Sequence, residues 1–355
     1  MTLDADVLSR EIRLENNLQS GAYMQSVKKA GLQTVLLGLV LFFGLDGSSR
    51  ADSLLAVSAT QEGTVSFYQV RGPRVSLLKA IPVGKGPTEM CLSPDHNRLY
   101  VSVAPEKKIV AIDVKSREVT ATLSDPTMKT PDGCTVSPDS KKLYAVDLGA
   151  NVVLVFSAES NQLLGRIAVG EEPRRALFSP DAKKLIVSNA HSNTLSVIDP
   201  ATNKVVHTVK TGTEPRTLAY SPDGKVLAVS IIDDDSVAFF KADTLEFEQQ
   251  VAGQISPQRL AFEPGGRLLF VLGRFEQLGV LDLRADVAYP GYRRLGTTIP
   301  VPRLSWGMAM SDDGDYLYVT QGGADYNISV IDVRLMKNLL NLPGPKGVRD
   351  IIYIK

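Results

Sequence analysis

From Leu54 onward, short apolar runs rich in β-branched residues alternate with polar turn sequences at a nearly constant interval. The clearest case surrounds Ser221-Pro222-Asp223-Gly224, where Pro presets φ, Asp bonds the local backbone and Gly accepts positive φ. The runs on either side, residues 217–220 and 226–229, are therefore expected to form one hairpin. The turn returns as Ser93-Pro94-Asp95, Ser137-Pro138-Asp139, Ser179-Pro180-Asp181, Glu263-Pro264-Gly265-Gly266 and Ser311-Asp312-Asp313-Gly314. Stepping from position 94 to 138, 180, 222, 264 and 312 gives intervals of 44, 42, 42, 42 and 48 residues. A fixed period in this range predicts stacked repeats in place of one irregular core.

Each period carries more than the hairpin. Second strands are expected at 99–101, 143–146, 185–187 and 317–319, and third strands, often closing on Asp, at 109–113, 152–156, 194–199, 237–240, 278–282 and 328–332. A more polar fourth strand follows, as in 163–169 and 204–209, while residues 284–302 exceed what such a strand needs and read as an extended outer strand with a loop. Four antiparallel strands in about forty residues make the blade of a β-propeller, whose apolar faces require neighbours. Residues 54–58, 64–68 and 75–81 read as second, third and outer strands with no inner strand before them, and 348–354 as an inner strand with nothing after it. Together they predict an all-β, seven-bladed propeller of four-stranded antiparallel blades, the last blade closed by strands from both ends of the chain.

Composition changes this picture little. The chain has 39 basic and 39 acidic residues, so no global charge points to nucleic acid. Residues 1–51 stand outside the repeat: Lys28-Lys29 precede an apolar run over 30–45, and small residues precede Asp52. This reads as a secretory signal with its start at Met24 and cleavage after Ala51, leaving 52–355 as the propeller. The sixteen apolar residues fall short of the roughly 20 that span a bilayer, so an uncleaved anchor is the alternative and the sole expected link to a membrane. The exported product is expected to be a monomer, periplasmic or secreted.

The inner strands open with Gly-x-x-Pro at 84–87, 170–173 and 212–215. Val187-Ser188-Asn189 is followed by Asn193-Thr194-Leu195-Ser196-Val197-Ile198-Asp199, and Tyr318-Val319-Thr320-Gln321 by Ser329-Val330-Ile331-Asp332. This coupling resembles the YVTN family of seven-bladed β-propellers over about residues 52–355. The resemblance implies the fold. Its functions are diverse, since such propellers include surface-layer and binding proteins, relatives of lactonases and domains attached to redox enzymes.

Chemistry-bearing residues are sparse. His96, His191 and His207 fall in a turn, a loop and an outer strand, with no pairing that suggests metal or nucleophilic work. Asp233-Asp234-Asp235 reads as a hydrated turn and not a calcium loop. Cys91 and Cys134 lie on inner strands of adjacent blades, but their offsets of four and three from the preceding Pro put them on opposite faces, so buried thiols are expected. No Cys-x-x-Cys-His motif occurs, and no cofactor or metal is expected.

One convergence remains. Inner strands line a propeller's channel, so residues just after the strand-opening Pro gather at its mouth. The first offset holds Thr88, Asp132, Arg174, Arg216, Gln258 and Trp306, and the second Glu89, Gly133, Arg175, Thr217, Arg259 and Gly307, with Lys346 or Arg349 from the seventh blade. Arg174, Arg175, Arg216 and Arg259, with Trp306 as an apolar wall and Glu89, Asp132 and Arg349 nearby, suggest a site for a small anionic ligand or an acidic protein partner. Bracing of neighbouring blades through Asp132, Glu89 or carbonyls is the structural alternative. The expected function is a binding or interaction scaffold in the bacterial cell envelope. A lactonase-like hydrolase, or an accessory partner of a periplasmic redox system, is the alternative.

Overall fold

The computed structural model describes residues 53–355 except 254–255, 275, 284–293 and 324. The expected signal segment and most of the excursion at 284–302 therefore lie outside the described residues, although Arg294–Pro300 forms an outer strand. Seven four-stranded antiparallel sheets account for the described unit. Blade one comprises Pro87–Leu92, Arg98–Val103, Lys108–Asp113 and Glu118–Ser124. The inner strands of blades two to six are Pro131–Val136, Pro173–Phe178, Pro215–Tyr220, Pro257–Phe262 and Ser305–Met310.

The repeated turn works as a small hydrogen-bonded unit. Ser221 Oγ donates to Asp223 Oδ1 at 2.6 Å and accepts the Val226 N–H at 3.0 Å, while Asp223 Oδ1 accepts the Lys225 N–H at 3.1 Å. Ser93, Ser137, Ser179 and Ser311 repeat the pattern. Blade five, which lacks the serine, substitutes Glu263 Oε1 as acceptor for the Leu268 N–H at 3.1 Å. Gly224, Gly266 and Gly314 take positive φ in these turns, and His96, Ser140 and Ala182 adopt the same left-handed conformation elsewhere.

Blade seven combines Val348–Ile354 with Ser53–Ala59, Thr64–Arg71 and Arg74–Pro82. Leu54 faces Ile354, and Val57 faces Ile351 across the antiparallel seam. Gly347, at φ +77°, lets the chain turn close against Gln61, whose backbone N a Cβ would meet at 2.6 Å. The core is distributed as seven apolar clusters, each shared by two adjacent blades, so no blade buries its faces alone.

The cysteines correct the sequence expectation. Cys91 and Cys134 form a disulfide, with Cα atoms 5.6 Å apart. Their offsets do place them on opposite faces: Cys91 pairs with Tyr100, whereas Cys134 pairs with Ala145, one position out of phase after equivalent bulges. Blades stack front to back, however, so the front of blade one meets the back of blade two. Opposite faces are therefore the two that touch, and both cysteines belong to one interblade cluster.

Candidate functional site

The mouth residues are positioned by two local devices. Asn151, Asn193 and Asp235 each use a side-chain oxygen to accept a backbone N–H 21 residues later, from Glu172 (3.0 Å), Glu214 (2.9 Å) and Ser256 (2.8 Å). Those residues have φ of +54°, +59° and +48°, turning the chain sharply into the inner strand, two positions before Arg174, Arg216 and Gln258. The acidic run at 233–235 thus serves partly as a clamp, with Asp234 Oδ2 also accepting the Thr213 N–H at 3.1 Å. Second-strand hydroxyls then tie the inner strands of blades one, two, four and seven to their neighbours. Ser58 donates to the Thr88 carbonyl, Ser102 to Asp132, Ser188 to Arg216 and Thr320 to Arg349, over 2.5–3.1 Å.

These bonds fix the register of blade seven: Arg349 occupies the first offset and Asp350 the second. The insertion in Gly344-Pro345-Lys346-Gly347 before Val348 obscures this register in the sequence, where Asp350 carries no offset signal.

The second tier is a buried ionic plug. Arg259 Nη2 lies 2.7 and 2.9 Å from the two carboxylate oxygens of Glu89 and 3.5 Å from Asp350 Oδ1. Arg175 Nη2 approaches Glu89 Oε2 at 2.5 Å, and Asp350 Oδ2 accepts the Met90 N–H at 2.9 Å. Blades three and five thus reach across the channel to blades one and seven. Gly133 makes room: a Cβ there would stand 2.4 Å from the Arg174 carbonyl oxygen and 3.0 Å from Arg175 Nη1.

The first tier is less completely paired. Arg174 contacts Glu172, which also receives His191 Nε2 at 2.5 Å, and lies 3.9 Å from Asp132. Arg349 lies over the Trp306 ring at 3.9 Å, with Arg274 at 5.8 Å from the same ring. Arg216 is only 9 % exposed, yet among the described residues its guanidinium has neither a hydrogen-bond acceptor nor a carboxylate within 4.0 Å. The Arg349 guanidinium likewise has no ion-pair partner among them.

Protonation follows this division. Burial opposes charge on Glu89, but Arg175, Arg259 and Arg349 outweigh it and hold the carboxyl well below its usual range. Burial, reinforced by the Glu89 charge, pushes Asp350 up to about 6 and raises Asp132. Burial followed by repulsion from Arg259, Arg175 and Arg174 brings Arg216 down to about 9, and burial also lowers Arg349. The structure therefore brings Glu89, Asp132, Arg174, Arg175, Arg216, Arg259, Trp306 and Arg349 to the mouth but divides their roles, whereas the Lys346 N–H bonds Glu62 instead. Arg175 and Arg259 brace the ring, while Arg216 and Arg349 remain available.

His96 occupies a turn and His207 an outer strand, away from this cluster. Among the described residues, no three His, Cys, Asp or Glu side chains gather as metal ligands. A separate groove of about 640 Å³ lies between blades five and six, at the opposite ends of their inner strands. Its Arg267–Asp282 and Arg334–Asp315 pairs, at 3.3 and 2.8 Å, already satisfy much of its charge.

Comparisons with known proteins agree with the architecture. The YNCE-like beta-propeller family model matches residues 147–243, and the SMP-30/Gluconolactonase/LRE-like region model matches residues 61–191. Hydrazine synthase from Kuenenia stuttgartiensis superposes with TM-score 0.66 at 20 % identity, covering 75 % of this chain and 89 % of that one. The chain is a seven-bladed β-propeller. A functionally unknown protein from Desulfotomaculum acetoxidans gives TM-score 0.73 at 15 % identity, covering 85 % of this propeller chain and 98 % of its own. A protein from Lactobacillus plantarum gives 0.72 at 14 %, covering 86 % and 100 %. These likenesses establish the fold alone. No curated protein sequence matches the chain.

Proposed function

We propose that this propeller is an exported binding scaffold of the cell envelope, which receives an anionic ligand or the acidic group of a protein partner at its channel mouth. The carrying observation is Arg216, a mostly buried residue whose guanidinium has no protein acceptor among the described residues. A guanidinium without a carboxylate beside it keeps its donors free for an incoming anion, and its mostly buried surroundings strengthen such a contact. The signal-like segment supports export, and the disulfide suits an oxidising compartment. Affinity capture from envelope extract tests the reading. The wild-type protein should retain an envelope component that Arg216→Ala retains at least about tenfold less, consistent with losing a charge-assisted contact. Equal retention by the variant would remove the mouth from the binding surface.

Lactone hydrolysis is the second reading, favoured by the family match over residues 61–191. Ring opening requires a group that activates water, and Glu89 and Asp350 are the buried carboxylates nearest the channel arginines. Both are engaged by Arg259, which favours binding over general-base work. Gluconolactone opening by the purified protein that Glu89→Gln abolishes would reverse this preference.

A further inference from the structure

Three neighbouring blades meet at Trp306. Thr320 Oγ1 accepts the Gly307 N–H at 2.9 Å and donates to the Arg349 carbonyl at 3.1 Å, which sets the backbones of Trp306 and Arg349 side by side in blades six and seven. From blade five, the Arg274 carbonyl accepts the Leu304 N–H at 3.3 Å, two residues before Trp306. The side chains close on the same ring. The Arg349 guanidinium carbon lies 3.9 Å from the indole centroid, and that of Arg274 lies 5.8 Å from it. The two guanidinium groups are therefore within about 10 Å of each other, held by one indole.

Both cations keep their hydrogen-bonding edges. Among the described residues neither has a carboxylate within 4.0 Å or a hydrogen-bond acceptor, and Glu276, close to Arg274 in the chain, is held by Arg303 at 2.6 Å. The Trp306 Nε1–H likewise has no acceptor among them. It approaches Gly322, where a Cβ would stand 3.0 Å from the nitrogen, and a Cβ on Gly323 would meet nothing within 4 Å. Leu304, whose carbonyl accepts the Gly322 N–H at 2.8 Å, is 45 % exposed on the same rim. Donors without acceptors thus stand beside uncovered apolar surface. A guanidinium stacked on an aromatic ring is fixed in orientation, presents its N–H fork to a carboxylate and can offer its other face to a second ring.

We propose that Trp306, Arg274 and Arg349 form a seat for a carboxylate joined to an aromatic ring, carried on a small acid or as the C-terminal aromatic residue of a peptide. The carboxylate takes the guanidinium and indole N–H donors, while the ring covers Leu304 and the arginine–indole stack. This inference rests on the reading of the mouth as an anion site and takes it to a particular class of ligand.

Trp306 is the chain's single tryptophan, so its emission reads occupancy directly. The purified full-length protein is titrated with phenylacetate, N-acetylphenylalanine, acetate and phenylacetamide at constant ionic strength. Phenylacetate or N-acetylphenylalanine should saturate below about 1 mM, whereas acetate, which lacks the ring, and phenylacetamide, which lacks the charge, should each bind at least about tenfold more weakly. Tighter binding of N-acetylphenylalanine identifies a peptide C-terminus as the carried form, and tighter binding of phenylacetate a small acid. By calorimetry, Arg274→Ala and Arg349→Ala should each weaken the better ligand about tenfold, with Arg349→Lys, which gives up the planar fork, recovering only part. Arg274 is exposed, so its alanine variant should keep the wild-type Tm and tests the seat even where Arg349→Ala fails to fold.

No saturable response to either aromatic acid, equal binding of acetate or phenylacetamide, or full affinity in either folded alanine variant would overturn the seat. Envelope capture that depends on Arg216 without an aromatic-acid response removes this inference and keeps the anion-site reading. Aromatic-acid binding with capture unaffected by Arg216→Ala does the reverse.

Discussion

Arg216 and Arg259 occupy neighbouring inner strands and look alike in sequence, but their environments demand opposite mutational outcomes. Arg259 clasps Glu89 through both carboxylate oxygens and also reaches Asp350. Arg259→Met leaves those acids buried with fewer partners and should reduce unfolding free energy by about 3 kcal/mol. Arg216 has no such partner among the described residues, so Arg216→Met exchanges a charge that makes no protein ion pair for apolar volume. Its stability should be unchanged or higher in buffer free of multivalent anions. Urea denaturation of the two variants side by side distinguishes these roles, and an equal loss would make Arg216 another brace.

At the scale of strands and turns, the sequence was legible wherever a local bond sets the geometry. The Ser-Pro-Asp turn is encoded by adjacent residues, and Glu263 shows that what the turn needs is an acceptor at that point. The inner strands are harder to read because bulges near Pro87 and Pro131 alter the simple alternation of side chains. The disulfide required one further fact, namely which face of blade one meets which face of blade two. It closes a sequence separation of 43 residues. Replacing both cysteines by alanine should therefore lower unfolding free energy by about 2–4 kcal/mol, mainly by releasing the unfolded chain. Reductant should lower the wild type's denaturation midpoint towards that of the double variant, and no shift on reduction would show that the crosslink contributes little.

For the whole molecule, the ring depends on its last strand. Val348–Ile354 completes blade seven, packs its apolar residues against blades six and one, and carries Arg349 and Asp350 into the mouth. Removal of residues 347–355 exposes the edge of Ser53–Ala59 and opens two interblade clusters. The truncated protein should lose its cooperative melting transition or aggregate, as followed by circular dichroism and light scattering. An unchanged Tm would refute this account of closure.

The period, the number of blades, the shared closing blade and most of the residues converging on the channel are written in the sequence alone. Each follows from short-range features: apolar alternation, turn residues and a constant offset from the strand-opening proline. The closed ring adds what the chain does not spell out: Cys91 faces Cys134, Asp350 completes the plug, and Arg175 and Arg259 are paired while Arg216 is not. The physical reason is side-chain reach across an enclosed channel. Arg259 meets a carboxylate 170 residues away, and its partner is selected by ring geometry and by the space left at Gly133 for the competing Arg175, neither of which has a local signature in the chain.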